Sequence, residues 1–376
     1  MRSSMARADP PTRRALQGNR QRPHPREDQE MTATTSSNQT DALPAGEAAR
    51  AVPPAKSIPF TEIPLVDFQG FRNGTDADKK RVAAEVGKAL NDVGFFYLVN
   101  HGIPAEDVAA VFAAARGFFT QPGARKNAVS SANTSNHRGY FPMGGENVDP
   151  LHTRDLKEGF DIGFEGTLAQ EEARRGGLRG LNQWPDEPAG FRPALERYYE
   201  HSVALGRDLC RAFALALDME EDTFDREIEH SESRMRLLSY PPQPGGPKDS
   251  RAFGAGAHTD CGCLTILAQD ALGGLAARNS AGDWIAVDPI ENALICNVGD
   301  IMEQWSGGRF ASTVHRVIND SDQYRYSVAL FFNPNLDVVV DSFKSLTGAE
   351  SAGGKTTTEE YLGCCFSETR SACQLP

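Results

Sequence analysis

The sequence has no apolar run of about 18 residues or more, so it lacks the simplest mark of a membrane-spanning helix. It is also short of positive charge: 39 Lys and Arg stand against 51 Asp and Glu, giving a formal net charge of -12 and a pI near 5.2. Nucleic-acid grooves and anionic membrane surfaces both call for concentrated positive charge, so neither is an expected partner. A neutral or small-molecule substrate suits the balance better. The seven cysteines (Cys210, Cys261, Cys263, Cys296, Cys364, Cys365, Cys373) form an odd set without regular spacing. No disulfide framework is expected, and a reducing, cytoplasmic compartment is inferred. Residues 1–57 are poor in aromatics and branched aliphatics and rich in Arg, Pro, Ser, Thr and Gln, a composition that cannot offset its ordering entropy. Disorder is expected there. Arg13-Arg14 is not followed by the apolar segment an export signal needs, and Asp9, Glu27, Asp28 and Glu30 speak against an organelle transit peptide. Met31 offers a second candidate start.

What remains is ordinary globular material, with 39% hydrophobic and 24% charged residues over 376 positions. Folded sequence begins near residue 58, Ile63–Phe68 has the composition of a short strand, and Phe95–Val99 behind Gly94 is a second strand-like run of β-branched and aromatic residues. Thr75 is a candidate helix cap with Asp78 three positions on, ahead of Val82, Val86 and Leu90 at helical spacing. Pro104 opens a second helix that carries Val108, Val111, Phe112 and Phe118 on one stripe, and a third long helix covers about 191–217. From Arg234 the pattern changes to short apolar stretches separated by Gly, Pro and Asp, at about 234–240, 263–268, 273–277, 284–287, 293–298, 312–318 and 325–333. Helices first and short strands second, with no βαβ alternation, predict an α+β chain around a jelly-roll core. The expected division is a disordered extension over 1–57, a helix-rich region over 58–230, the jelly roll over 231–340 and a C-terminal segment over 341–376.

Chemistry concentrates in the strand-rich part. His258 and Asp260 stand two positions apart, and in extended chain such residues project from one face toward a common point. His315 lies in another strand-like run and can complete the set. Two imidazoles and one carboxylate with open positions opposite suit non-haem iron(II) in oxygen chemistry, with zinc as the competing ion. Ten positions beyond His315 comes Arg325-Tyr-Ser327, another same-face pair. A guanidinium binds a carboxylate bidentately and a hydroxyl adds a further hydrogen bond, so the pair suits the far carboxylate of a dicarboxylic acid, although a structural ion pair on a strand would look the same. His101 has the setting of a turn residue, and Cys261 and Cys263 that of small apolar strand residues.

These motifs, in this order, together with Gly94-Phe-Phe-Tyr-Leu-Val-Asn-His-Gly102, Arg138-Gly-Tyr140, Lys157-Glu158, Tyr240-Pro-Pro242, Asn297-Val-Gly-Asp300 and Arg325-Tyr-Ser-Val-Ala-Leu-Phe-Phe-Asn333, resemble the 2-oxoglutarate- and iron(II)-dependent oxygenases of the isopenicillin N synthase-like family. The resemblance covers about residues 61–335. It implies a double-stranded β-helix in which His258, Asp260 and His315 hold Fe(2+), and Arg325, Ser327 and Tyr240 hold 2-oxoglutarate. It further implies that O2 and 2-oxoglutarate are consumed to oxidise, most simply to hydroxylate, a small molecule, with release of succinate and CO2. Plant members carry Asn-Tyr-Tyr-Pro-Pro where this chain has Leu238-Ser-Tyr-Pro-Pro242, so two polar contacts to the co-substrate are missing. Tyr140, Phe160 and Phe332 fall where substrate contacts would be, and aromatic core packing accounts for them equally well. Two rival functions remain at this level: a same-fold oxidase that does not use 2-oxoglutarate, and a non-catalytic ligand-binding relative. The substrate and the oligomeric state leave no trace in the sequence.

Overall fold

Period-two alternation along the strands decides how the layers stack. The computed structural model describes residues 60–149, 155–165, 177–243, 253–340 and 356–371. The chain divides into two units, Met1–Ala48 and Ala49–Pro376. The first lies outside the described residues, as does the disorder expected for 1–57; the second holds every described element. Its strands are β1 (Leu65–Asp67), β2 (Phe95–Val99), β3 (Gly139–Phe141), β4 (Glu158–Gly163), β5 (Arg234–Tyr240), β6 (Ala255–His258), β7 (Leu264–Gln269), β8 (Leu275–Arg278), β9 (Trp284–Ala286), β10 (Leu294–Val298), β11 (His315–Val317) and β12 (Arg325–Phe332). Its helices are α1 (Gln69–Asn73), α2 (Asp76–Asp92), α3 (Ala105–Phe119), α4 (Gly123–Ala128), α5 (Phe191–Ala216), α6 (Asp300–Trp305) and α7 (Thr358–Ser371). None of them is long and apolar enough to cross a membrane.

The strands form an eight-stranded sheet in the order β1-β2-β10-β7-β12-β5-β4-β3 and a four-stranded sheet in the order β6-β11-β8-β9. Every pairing is antiparallel except β1 with β2. The helix-rich region expected over 58–230 therefore also supplies β1 to β4, two at each edge of the large sheet. Along β12, Tyr326, Val328, Leu330 and Phe332 face the helices and join their core, whereas Arg325, Ser327, Ala329 and Phe331 line a cavity on the opposite face. Strand β5 alternates likewise, with Met235 and Leu237 outward and Arg234, Arg236, Leu238 and Tyr240 toward the cavity. A slip of one residue would exchange the two sets, so burial of the helix-side residues fixes which charges face inward.

The helices follow the expected stripes. Thr75 caps α2 in a reciprocal arrangement with Asp78, and Val82, Val86 and Leu90 are buried. On α5, Leu195, Tyr198, Ser202, Leu205, Leu209 and Phe213 recur at helical spacing and are buried. Phe118 of α3 meets Phe160 at 4.9 Å and Phe191 at 5.1 Å between ring centroids, and Tyr140 at 5.9 Å. Phe332 lies so close to Gly206 of α5 that a side chain there would collide with its ring. Tyr140, Phe160 and Phe332 are thus core aromatics, and none of them lines the cavity. Truncation of Phe160 to Ala is expected to lower the unfolding free energy by about 3–5 kcal/mol, as for other buried aromatics, and urea denaturation measures it.

Candidate active site

His258 closes β6, His315 opens β11, and the two are direct partners in the antiparallel ladder. Opposed residues in such a ladder stand roughly 4.5–5.5 Å apart, so the pairing alone delivers both rings to one place. Their centroids are 4.4 Å apart. Asp260 follows two residues after His258, with its Oδ1 at 3.8 Å from His258 Nε2 and 3.6 Å from His315 Nε2. The three candidate donor atoms lie within 4.8 Å of one another, and among the described residues no other His, Cys, Asp or Glu group of three or more gathers this way.

Neighbouring groups orient every donor. His258 Nδ1 lies 2.8 Å from the Gly256 carbonyl and His315 Nδ1 lies 3.0 Å from the Thr313 carbonyl. A carbonyl only accepts, so each Nδ1 carries a proton, and each Nε2 is the nitrogen turned toward Asp260. Burial, reinforced by the imidazole of His315, lowers the pKa of His258 to about 4, and the ring is neutral at physiological pH. Asp260 Oδ2 accepts hydrogen bonds from Thr265 Oγ1 at 2.6 Å and Asn297 Nδ2 at 2.8 Å, which leaves Oδ1 facing the histidines. Burial pushes this carboxyl up, but the two imidazoles and these hydrogen bonds outweigh it, and the group titrates below its ordinary value. Two glycines make the approach possible. Any Cβ on Gly299 would strike the carbonyls of Asp260 and Gly262, and Gly94, at φ +78°, abuts the Ala311 carbonyl and Thr313 just ahead of His315.

The triad opens into a cavity of about 180 Å³ between the two sheets. At one end stands Arg325, only 1% exposed, its guanidinium over the Tyr240 ring at 4.8 Å. Arg325 Nε donates to the Gly273 carbonyl at 2.5 Å, Nη1 to Ser327 Oγ at 3.3 Å and Nη2 to Gln269 Oε1 at 3.1 Å. All three partners are neutral, and no carboxylate of the described residues pairs with this buried cation. Leu238 is the cross-strand neighbour of Ser327 and presents an apolar side chain, alongside Leu267, Leu275 and Val317. The rest of the lining is strongly ionic, with Glu146, Lys157, Glu232, Arg234 and Arg236.

The structure thus gathers His258, Asp260 and His315 at one point, and Arg325, Ser327 and Tyr240 at a second point on the same cavity. His101 sits in a tight turn, its Nδ1 accepting from the Ile103 amide, in keeping with the turn reading. Reading the residues alone missed Thr265, Arg234 and Phe331. Their signal was the alternation of β5, β7 and β12, since two arginines at alternate positions of an otherwise apolar strand must face a polar interior. Helix α7 was also missed; it brings Leu362, Cys365, Phe366 and Thr369 to the cavity. One expectation is corrected. Cys261 is not a plain strand residue, because it forms a disulfide with Cys365 of α7, while Cys263, Cys210 and Cys296 are free and buried. The bond ties α7 to the residue that follows Asp260. Spatial proximity, which spacing in sequence does not encode, pairs these two across 104 positions, and the inference of a reducing compartment loses that support.

Comparison with known proteins agrees with this geometry. Residues 63–187 match the family described as "non-haem dioxygenase in morphine synthesis N-terminal", and residues 231–334 match the "2OG-Fe(II) oxygenase superfamily". The chain is 36% identical over 284 residues to the 2-oxoglutarate-Fe(II) type oxidoreductase hxnY of Emericella nidulans, covering 74% of this chain and 81% of that protein. It is 35% identical over 293 residues to a homoarginine-6-hydroxylase of Arabidopsis thaliana, covering 76% and 87%. A full-length Neurospora crassa protein solved in complex with alpha-KG, another name for 2-oxoglutarate, superimposes with a TM-score of 0.72 at 30% identity, covering 81% of this chain and 96% of that one.

The Cys261–Cys365 bond is open to direct test. Non-reducing peptide mapping should recover that pair and leave the exposed Cys364 alkylated. Reduction is expected to lower the unfolding free energy by about 2–4 kcal/mol, seen as an earlier guanidinium midpoint, because a long closed loop regains its freedom.

Proposed function

The chain belongs to the 2-oxoglutarate- and iron(II)-dependent oxygenases of the isopenicillin N synthase-like family, and on that footing we propose that His258, Asp260 and His315 hold the iron while Arg325, Ser327 and Tyr240 hold 2-oxoglutarate. The enzyme is a dioxygenase that oxidises a small molecule. For hydroxylation the balance is R–H + O2 + 2-oxoglutarate → R–OH + succinate + CO2, and hydroxylation of a small metabolite is the reading we adopt. The two facing sheets are read as a double-stranded β-helix whose core spans 231–340, with 58–230 packed around it.

One observation carries the assignment: three buried or half-buried donors converge on one point, on the same cavity as a buried guanidinium that no carboxylate of the described residues pairs with. Two imidazoles and a single carboxylate oxygen fit iron(II), which supplies O2 activation coupled to oxidation of the keto acid when it is bound. The protein's own contribution is geometry. The Gly256 and Thr313 carbonyls fix the rings, and Thr265 and Asn297 fix the carboxylate. Arg325 and Ser327 orient the distal carboxylate, and the apolar wall of Leu238, Leu267, Leu275 and Val317 keeps water from it. Leu238 and Ser239 offer that co-substrate no polar side-chain contact of the kind plant members have, so Arg325, Ser327 and Tyr240 carry the binding.

Asp260→Ala should lose iron from the dialysed protein, and Thr265→Val, which removes only a supporting hydrogen bond, should weaken iron roughly 10–100-fold; iron analysis and titration decide. Arg325→Ala should weaken 2-oxoglutarate by about 2–5 kcal/mol with iron content unchanged, measured by calorimetry. Substrate-stimulated succinate release should follow O2 uptake one to one. O2 uptake that persists without 2-oxoglutarate would instead identify the oxidase.

A further inference from the structure

The buried charges beside the triad do not balance. Arg236 pairs with Glu146 and Asp161, each at 2.7 Å, and Lys157 pairs with Asp155 at 2.9 Å. Glu232 is shared between Arg138 at 3.1 Å and Arg179 at 3.6 Å. Every one of these carboxylates is taken. Arg234 is only 2% exposed, and no carboxylate of the described residues pairs with it. Its Nη2 donates to the Asn136 carbonyl at 3.1 Å, the face of its guanidinium lies 4.4 Å from the Phe366 ring of α7, and Nη1 has no hydrogen-bond partner. Burial lowers its pKa to about 10, against the pull of Asp161 and Glu232, and it stays cationic at neutral pH. A buried cation with an unmade hydrogen bond is costly unless something else meets it.

Its position says what that partner is for. Arg234 pairs with Phe331, Phe331 with Thr265, and Thr265 with Asn297 across four consecutive strands. This row runs from Arg234 to the two residues that grip Asp260, and all four line the cavity. Two strand spacings of about 4.8 Å put the Arg234 backbone roughly 10 Å from that of Thr265, the span of a compact metabolite once side chains intrude. Arg325 is remote from this row. It pairs with Tyr240, six residues along β5, or about 20 Å at the usual rise.

We propose that Arg234 is the substrate-anchoring residue and that it binds a carboxylate, so that the substrate is a small organic acid held with its reactive C–H toward the His258, Asp260 and His315 triad. This rests on the assignment of that triad as the iron site and of Arg325 as the 2-oxoglutarate anchor. Phe366 covers the guanidinium, so the acid enters as the α7 side chain gives way, and the aromatic ring then packs on its hydrocarbon part. The anion leaves Arg234 with the paired, bidentate contact that Arg236 and Arg325 have or await.

The test uses the full chain loaded with Fe(2+) and saturating 2-oxoglutarate under argon. Benzoate, phenylacetate, 3-phenylpropionate and hexanoate are each titrated against the matching primary amide by calorimetry. At least one acid is expected to bind tenfold or more tightly than its amide. That preference should vanish in Arg234→Gln and persist in part in Arg234→Lys. The affinity for 2-oxoglutarate, measured first, should be retained in Arg234→Gln and lost in Arg325→Ala, which keeps this proposal separate from the co-substrate assignment. Equal binding of every acid and its amide by the wild-type protein overturns the proposal without recourse to any variant. So does an acid preference that survives in Arg234→Gln. Loss of 2-oxoglutarate in Arg234→Gln with retention in Arg325→Ala would show that the two arginines have been assigned the wrong way round.

Discussion

The ladder pairing of His258 with His315 is the constraint from which the rest of the site follows. Neither ring could be placed by its own strand alone, because a strand fixes only the face on which a side chain stands. Pairing fixes the separation. Once the rings are opposed, the two-residue step to Asp260 brings a carboxylate to both Nε2 atoms, and the hydrogen bonds from Thr265 and Asn297 select which oxygen it presents. Those two residues belong to β7 and β10 of the other sheet, so the carboxylate is the point where the two sheets meet. Gly299 and Gly94 occupy the closest approaches because no side chain fits there.

Around this point the cavity is organised by charge. A pocket with so many buried ionic groups would be unstable were they not paired, and most are, in the Arg236, Lys157 and Glu232 sets. The exceptions are Arg325 and Arg234. Each is held by neutral acceptors and an aromatic face, Tyr240 for one and Phe366 for the other. The same device, an uncompensated guanidinium on the inner face of a strand, is thus set at two places on one cavity. One sits where we assign the dicarboxylic co-substrate, and the other where we propose that the substrate is anchored. Helix α7 covers the second, and the Cys261–Cys365 bond anchors that helix to the residue following Asp260. Access to the cavity and the geometry of the triad therefore share a covalent link.

Much of this was legible before any coordinates. The capping box at Thr75, the stripes of α2, α3 and α5, and nine of the strands follow from spacing, since local burial periodicity reflects the face an element turns to its core. Strands β3, β4 and β6 were not legible. Gly139–Phe141 and Ala255–His258 are short and carry Gly, and Glu158–Gly163 has charges on both faces because its acids pair with Lys126 and Arg236. Their strand state comes from tertiary pairing, to which propensity is blind. The aromatics Tyr140, Phe160 and Phe332 show the same limit from the other side, for only packing decided that they belong to the core.

The sequence by itself determined which residues are candidates for the chemistry and which of them stand two positions apart along the chain, His258 with Asp260 and Arg325 with Ser327. Those are relations between neighbours, and the extended backbone imposes them locally. The tertiary structure decided everything that joins distant segments. It set His315 opposite His258, gave the Asp260 carboxylate its hydrogen bonds from two other strands, and brought Cys365 to Cys261. It also left Arg234 without a counter-charge, because the partner of a buried ion is chosen by three-dimensional packing, and here every carboxylate within reach was already engaged.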